Sequence, residues 1–375
     1  MAYRILFISS WFPNRLEPTN GNFVQRHAEA VKLYNDVEIL HAIGDFDLKK
    51  RYEVDVQKVN GIKTVIVYYK NTKNPLLNFY RRMKAYSKGF KEVNFPNLIH
   101  ANVLHNNLLF AVHLKSKYRI PFVVTEHWTA LRSINQDKTP KSVKKTAWWI
   151  GSHANKLLPV SADLKKGLED LNIKTPMQVV PNVVNTELFQ PRTEISEALE
   201  FTFIHVSNLV PRKNADKILK VAVKLLKKGF NFKLQLGGDG ETTELLKTVQ
   251  ESGFAHKIEI FGTQTLEQVA QRMKASDAFI LFSDDENQPC VIAEAFASGL
   301  KVISTQVGGI AEFFPENAGI LLHSRSEDEL ESAMIQLLKE GGKHDRQALA
   351  EYAQNTFSKE VIGKQYTDIY TEILN

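Results

Sequence analysis

The sequence predicts an α/β protein made of two doubly wound, Rossmann-like domains. Short apolar runs alternate with helical patterns from one end of the chain to the other. Buried parallel strands are typically continuous apolar runs, and their alternation with helices of about ten or more residues indicates βαβ units. A length of 375 residues exceeds that of one ordinary domain, which favours two.

The apolar runs and the helical patterns locate the individual elements. The strands predicted for the first half lie at residues 4–9, 37–43, 63–69, 98–102, 122–126, 156–161 and 178–182. Those of the second half lie at 201–207, 233–238, 258–262, 278–283, 301–305 and 319–323. Amphipathic helices separate most of them, for example at 214–229 and 266–276.

The boundary between the domains is predicted near residues 183–200, where polar and charged residues interrupt the pattern. The first domain then covers residues 1–185 and the second 186–358. The last helix carries apolar residues on one face, at Val361, Ile362, Tyr366, Ile369 and Tyr370. We therefore expect residues 359–375 to pack back on the first domain.

Composition restricts the class of protein. Hydrophobic content of 43% and charged content of 24% are typical of globular proteins. We expect no transmembrane helix, because no apolar run reaches the ~18 residues of a membrane span. The N-terminus lacks a signal-peptide pattern, and the single cysteine, Cys290, excludes an internal disulfide. These features favour the cytoplasm.

The net charge of +6 conceals a difference between the halves. Residues 1–185 hold 28 Lys and Arg against 14 Asp and Glu, a net +14, and the remainder has a net −8. Two basic segments, 74–91 and 139–156, also contain aromatic residues. This combination suits an anionic membrane surface on the inner face of the membrane, whereas solvated amphipathic helices are the structural alternative. A nucleic-acid partner is disfavoured, since no reading motif is recognised.

Polar residues cluster where predicted strands end, which is where ligands bind in open α/β sheets. Glu286 lies in a loop after a strand, and Glu294 lies about one turn into the next helix. Carboxylates accept hydrogen bonds from vicinal hydroxyls, and a helix N-terminus favours an anion, so the segment suits a nucleotide sugar. The structural alternative is a solvated loop acid and a helix-capping acid.

Two further segments carry candidate residues. Arg212 and Lys213 follow a strand and precede a helix, an arrangement that suits a diphosphate leaving group or an ordinary basic helix start. His127 follows the strand at 122–126, where it is either catalytic or an ordinary polar residue. No histidine has zinc-ligand spacing, and the Gly-x-Gly-x-x-Gly pattern of dinucleotide enzymes is absent. The glycines at 237–240 indicate a tight turn.

Six segments in order resemble the retaining GT-B glycosyltransferases of the large family four. They are "NGNFVQRHAEAV", "FVVTEHW", "VVPNVVNTELF", "VSNLVPRKNADKIL", "LQLGGDGE" and "ENQPCVIAEAFASGLKVISTQVGGIAEF". The resemblance covers nearly the whole chain and implies two domains that face each other across a cleft. One departure is Asn208, which stands where the family often has arginine. We therefore expect Lys213 to carry the diphosphate, with help from Arg212.

The resemblance also implies roles for individual residues. His127, Glu286 and Lys213 are the catalytic candidates, and Glu294 would bind the ribose. The donor would contact Gly21, Asn208, Arg212, Thr263, Gln264, Asn287, Gln288, Pro289, Cys290 and Val291. Enzymes of this type use neither a catalytic metal nor a cofactor, because cations and helix dipoles balance the diphosphate charge.

The sequence thus predicts a metal-independent glycosyltransferase that moves a sugar from a nucleotide-sugar donor to a glycan or lipid-linked glycan. Biosynthesis of a surface polysaccharide is the expected setting. Two other functions stay open. A nucleotide-sugar 2-epimerase shares the architecture, and a non-catalytic module that binds sugar nucleotides would have similar segments.

Overall fold

The computed structural model describes residues 2–193 and 200–375 and contains two compact units. The first unit comprises Met1–Val183 and Lys359–Asn375, and the second comprises Val184–Ser358. The predicted boundary at 183–200 includes residues 194–199, which lie outside the described residues.

The first unit contains a seven-stranded sheet. In the described residues its strands are β1 (Arg4–Ser9), β2 (Asp36–Asp45), β3 (Tyr52–Val59), β4 (Ile62–Lys70), β5 (Leu98–Asn102), β6 (Phe122–Glu126) and β7 (Lys156–Pro159). The spatial order is β3-β4-β2-β1-β5-β6-β7, and only β3 runs antiparallel to its neighbour. Without β3 this is the doubly wound Rossmann order, in which the order of strand addition reverses between β1 and β5, at the topological switch point.

The second unit has a six-stranded parallel sheet with the same topology. The described strands are β8 (Thr202–Ser207), β9 (Lys233–Gly238), β10 (Ile258–Phe261), β11 (Ala278–Leu281), β12 (Lys301–Thr305) and β13 (Gly319–Leu322). Their order is β10-β9-β8-β11-β12-β13, so the reversal falls between β8 and β11. The prediction of two doubly wound α/β domains is confirmed.

Helices follow most of the strands. They are α1 (Asn22–Lys32), α2 (Pro75–Gly89), α3 (Leu109–Tyr118), α4 (Lys141–His153), α5 (Ala162–Asp170), α6 (Ala215–Lys227), α7 (Thr243–Ser252), α8 (Leu266–Lys274), α9 (Cys290–Ala297), α10 (Glu327–Glu340), α11 (Arg346–Phe357) and α12 (Lys359–Leu374). In each unit the helices cover both faces of the sheet, with one apolar cluster on either side. Within residues 2–193 and 200–375, no helix combines the length and apolarity that crossing a lipid bilayer requires.

Two strand predictions are wrong. Residues 178–182 form no strand, although Gln178 N and Val180 N donate to carbonyls of β7. Pro181 lacks an N–H and limits further pairing. Conversely, β3 was not predicted. Its Val54 and Val56 are 40% and 49% exposed, so this edge strand lacks the continuous apolar run of a buried one.

Helix α12 packs against α1 in the first unit. A Cβ atom on Gly363 would lie 2.2 Å from the carbonyl oxygen of Ala30, so the two helices approach closely only because this residue is glycine. Tyr366 and Tyr370 on the same helix are fully buried. The side chain of Asn35 donates to Thr367 Oγ1 at 2.8 Å beside this contact.

Candidate active site

The topological switch point of the second unit lies between β8 and β11. Two loops meet there, one after each of these strands. The first forms a turn of 3-10 helix at Pro211–Lys213 and reaches α6 through Asn214. Asn214 has φ 51°, a left-handed conformation that asparagine tolerates better than most residues. Its Nδ2 donates to Phe282 O at 2.9 Å and to Asp284 Oδ1 at 3.0 Å, which ties the loops together.

Backbone contacts strengthen this connection. Asp284 N donates to Arg212 O at 2.8 Å, and Arg212 Nη1 donates to Asp285 O at 2.9 Å. Because the main chains of the two loops are bonded directly, side chains that belong to either loop are held close to the other. Arg212 itself is exposed.

Lys213 and Glu286 form a buried ion pair where the two loops meet. Lys213 Nζ donates to Glu286 Oε1, and the residues are 8% and 6% exposed. A buried charge is costly unless an opposite charge compensates it, so each residue depends on the other. The structure thus brings together two catalytic candidates that are 73 positions apart in the sequence.

His205 lies in β8 behind this pair. Its Nδ1 is 2.8 Å from Ile280 O, and its Nε2 is 2.9 Å from Ser207 Oγ. A carbonyl only accepts, so Nδ1 carries the proton and Nε2 accepts from Ser207. Burial, together with the positive charge of Lys213, lowers the pKa of His205 to about 4. The histidine is neutral at pH 7, and sequence reasoning did not single it out.

The donor-binding candidates of the second unit lie in three places. Asn287 and Gln288 are buried, Pro289 is the N-cap residue of α9, and Cys290 and Val291 lie in its first turn. Glu294, the fifth residue of α9, is 5% exposed. Asn208 is exposed in the turn after β8. Thr263 and Gln264 follow β10 at the edge of the sheet, three strands from β11.

Gly21 is the N-cap residue of α1 in the first unit. Its φ is 74°, and a Cβ atom there would lie 2.5 Å from the backbone carbonyl of Trp11. Only glycine fits this close approach, so the loop between β1 and α1 is fixed by the main chain. Of the glycines predicted to form a turn at 237–240, Gly237 and Gly238 belong to β9, Gly238 has φ 137°, and the chain bends at residues 239 and 240.

His127 follows β6 and lies against aromatic side chains. Its ring centroid is 4.2 Å from that of Phe23 and 5.2 Å from that of His27. Burial lowers the pKa of His127 well below its ordinary value, with additional effects of His27 and His100, while a contact with Asn182 acts in the opposite direction. His127 is therefore a neutral imidazole at pH 7.

The adjacent Glu126 has a structural role in this unit. The carboxylate is fully buried and accepts backbone N–H groups from Leu104, His127 and Trp128. Burial raises its pKa to about 7 against the opposing effect of these hydrogen bonds. Glu126 thereby connects the residues after β6 to those after β5.

His27 on α1 lies next to His127 in the core of the first unit. It is fully buried, and neither ring nitrogen has a hydrogen-bond partner in the described part of the chain. Its neighbour Tyr366 belongs to α12, with ring centroids 5.5 Å apart. Burial is the main cause that lowers the pKa of His27 to about 3, and Arg26 adds to it.

Among residues 2–193 and 200–375 no group of three His, Cys, Asp or Glu side chains has an arrangement that could hold a metal ion.

Comparisons with known proteins identify the family. Residues 27–188 match the family model described as Glycosyltransferase Family 4, and residues 190–356 match that of Glycosyl transferases group 1. The fold and the matched models together define the GT-B class of glycosyltransferases. The chain belongs to glycosyltransferase family 4.

Individual relatives agree with this assignment. The chain is 26% identical to a putative teichuronic acid biosynthesis glycosyltransferase of Bacillus subtilis, over 88% of each chain. It is also 26% identical to the N-acetyl-α-D-glucosaminyl L-malate synthase of Bacillus anthracis, over 68% of this chain and 69% of that enzyme.

Solved structures show the same fold. The sucrose-phosphate synthase of Thermosynechococcus elongatus has a TM-score of 0.77 at 18% identity, over 99% of both chains. Anabaena HepE, in a structure with UDP and glucose, has a TM-score of 0.75 at 16% identity, over 98% of this chain and 99% of that one.

The neutral state of His27 predicts a pH-dependent loss of stability. Between pH 6.5 and 3 the unfolded chain binds this proton more readily than the folded one, so stability falls as the pH falls through that window. At pH 5 this amounts to about 2 kcal/mol. We expect His27→Phe to reduce the stability lost between pH 7.5 and 5 by that amount.

Urea unfolding followed by tryptophan fluorescence measures this effect in the first unit, because all four tryptophans lie there. His27→Gln is the control, because it also removes the titratable imidazole but keeps a polar side chain. It should reduce the pH dependence of stability equally. If both variants lose as much stability as the wild type between pH 7.5 and 5, His27 is not the cause of the pH dependence.

Proposed function

We propose that the protein transfers a sugar from a nucleotide-sugar donor to a hydroxyl of a glycan or a lipid-linked glycan, with retention of the anomeric configuration. The observation that carries the proposal is the buried pair of Lys213 and Glu286 at the switch point of the second unit. Retention is inferred from the family resemblance. The structural relative HepE, which binds UDP, supports a nucleotide-sugar donor.

The proposed roles follow from charge and position. When the bond between the sugar and the diphosphate breaks, its electron pair stays on the diphosphate, whose negative charge rises. Lys213 and Arg212 would stabilise that charge in place of a metal ion. Because Lys213 already has a fixed partner in Glu286, its ammonium group is oriented before the donor arrives, and Glu286 would accept a hydrogen bond from the sugar.

The other candidates complete the proposed donor site. Glu294 would accept hydrogen bonds from the ribose, and the segment from Asn287 to Val291 would lie along the donor. Thr263 and Gln264 would contact the base, and Asn208 the diphosphate region. From the first unit, we assign Gly21 and the neutral His127 to the donor, with His127 donating or accepting at a sugar hydroxyl.

Relatives and charge together support an anionic acceptor in surface polysaccharide or related biosynthesis at the cytoplasmic face of a membrane. One relative is named for teichuronic acid and another for a product containing L-malate, a dicarboxylate. The net +14 of residues 1–185 suits such acceptors.

Calorimetric titration with UDP, ADP and GDP tests the donor site. We expect at least one nucleoside diphosphate to bind, and Lys213→Gln to weaken it at least about tenfold through loss of a charge-assisted hydrogen bond. The matched control is Lys220→Gln, which removes a lysine on α6 whose side chain is 71% exposed. Because Lys213→Gln also leaves Glu286 buried without its partner, Glu294→Gln provides a second, near-isosteric variant.

The proposal fails if no nucleoside diphosphate binds, or if the Lys213 and Glu294 variants both bind as the Lys220 control does. With the corresponding nucleotide sugar, an acceptor-dependent product of retained configuration in the presence of EDTA supports the metal-independent transferase. A free epimer formed without acceptor would instead support the 2-epimerase, and binding without turnover the non-catalytic module.

We further propose that α2 and α4 contact an anionic membrane surface. Leu76 and Tyr80 on α2 are 82% and 56% exposed, and Trp148 and Trp149 on α4 are about 40% exposed. Lysine and arginine side chains accompany them on α2, and lysine side chains on α4. Exposed aromatic residues next to basic ones are typical of proteins that bind at the headgroup layer.

Co-sedimentation with lipid vesicles tests this surface. We expect the protein to bind phosphatidylglycerol vesicles more than phosphatidylcholine vesicles, and less at high salt because the charges are screened. Trp148→Ser with Trp149→Ser should reduce binding, whereas Leu246→Ser, at a 43% exposed position of α7, should not. Equal binding to both lipids, or equal effects of both substitutions, would contradict the proposal.

A further inference from the structure

The first unit contains a cavity of about 140 Å³ between the turn after β5 and helix α4. Leu104, His105 and Asn106 line it from the turn after β5, and α4 contributes Ser142, Val143 and Thr146. The turn after β5 lies at the carboxyl ends of the strands, which is where ligands of doubly wound sheets bind. The lining offers an imidazole, a carboxamide and two hydroxyls but no carboxylate.

Arg82 lies one hydrogen bond behind the cavity wall. Its Nη1 donates to Asn106 Oδ1 at 2.8 Å and to Asn107 Oδ1 at 2.6 Å, and its Nε donates to Tyr69 Oη at 3.0 Å. All these partners are neutral. In the described part of the chain, Arg82 has no ion pair, and its Nη2 has no hydrogen-bond partner. A half-buried guanidinium without a counter-ion keeps a positive potential around it.

The histidines near Arg82 add no fixed charge. Burial, reinforced by Arg82, lowers the pKa of His105, and burial is the main cause that lowers the pKa of His41 to about 4. Arg82 therefore supplies a positive charge next to the wall of this cavity. Since its three bound acceptors hold the guanidinium in place, its free edge is oriented rather than mobile.

The turn that carries His105 and Asn106 is strained. Val103 is fully buried and has φ 67°, which is an outlier for a β-branched residue. Val103 N donates to Thr125 O at 3.0 Å, Ser10 Oγ donates to Val103 O at 3.2 Å, and Leu104 N donates to the Glu126 carboxylate. Strain that several contacts maintain is found most often at binding and catalytic sites.

We propose that this cavity binds an anionic group of the acceptor, a carboxylate or a phosphate, and that Arg82 recognises its charge. Nη2 of Arg82 and the carboxamide N–H groups of Asn106 donate to the anion, while Ser142 and Thr146 contact hydroxyls of the same sugar. The inference rests on the proposed transferase function, since it takes the ligand to be the acceptor. Because Nε and Nη1 already donate to neutral acceptors, Nη2 is the nitrogen left to donate to the anion, and the guanidinium supplies the positive charge.

NMR titration with three small sugars tests the site. Methyl β-D-glucuronide carries a carboxylate, glucose 1-phosphate carries a phosphate, and methyl β-D-glucoside is neutral. We expect at least one anionic sugar to bind about tenfold or more tightly than the neutral one, and Arg82→Gln to abolish that preference. Whichever anion is preferred identifies the acceptor group.

Arg81→Gln is the matched control, because Arg81 precedes Arg82 on α2 and donates from Nη1 only to the backbone oxygen of Lys70. It removes the same charge from the same helix but should keep the preference. Arg82→Lys keeps the charge but not the planar guanidinium and should show an intermediate preference, which provides a second test if Arg82→Gln does not fold.

The proposal is overturned if the neutral sugar binds as tightly as both anions, if none of the three binds, or if the Arg81 and Arg82 variants lose the preference equally. Nucleoside diphosphate binding, measured on the same samples, should be the same in wild type and Arg82→Gln. Failure of the wild type to bind any nucleotide would refute the transferase function, whereas the sugar titration independently decides the anion site.

Discussion

The buried contact between Lys213 and Glu286 is the interaction on which the proposed chemistry depends. The two charges belong to loops that follow different strands, β8 and β11, and they can compensate each other only when these loops are in register. Asn214 and the backbone of Arg212 and Asp284 hold that register. A charge fixed in this way needs no reorganisation when a diphosphate binds, which is the basis of electrostatic catalysis.

The two units share one topology, but the proposed chemistry differs between them. Each has a permanent cation near its switch point, Lys213 in the second unit and Arg82 in the first. Lys213 is paired with a carboxylate, whereas the partners of Arg82 are neutral. This difference suits the proposed division of labour. A group that stabilises developing charge benefits from an orienting partner, and a group that recognises an existing anion benefits from an unbalanced potential.

Buried, neutral histidines are a second feature that both units share. His27, His100 and His127 lie close together in the first unit, and His205 lies behind the ion pair in the second. Their neutrality follows from desolvation, because burial disfavours the charged imidazolium. His100 is bonded to Tyr370 and Thr125, so this group also links β5 and β6 to α12. The fold of the first unit and the environment of His127 are thus coupled.

Most strands of the two sheets could be predicted from the sequence, but the side-chain contacts at the switch points could not. Continuous apolar runs identified the buried strands, while the exposed alternation of β3 and the proline in 178–182 produced the two errors. Lys213 and Glu286 were recognised individually, through their position after strands and the family resemblance. Their contact could not be predicted, because it depends on β8 and β11 being neighbours in space. Arg82, His27 and His205 were missed, since an arginine in a basic helix or a histidine in an apolar stretch carries no local signal.

A crystal structure with a bound nucleoside diphosphate tests the central claim most directly. The account predicts diphosphate oxygens within hydrogen-bonding distance of Lys213 Nζ and the ribose hydroxyls on the Glu294 carboxylate. A nucleotide bound elsewhere, with both of these side chains unengaged, would contradict it.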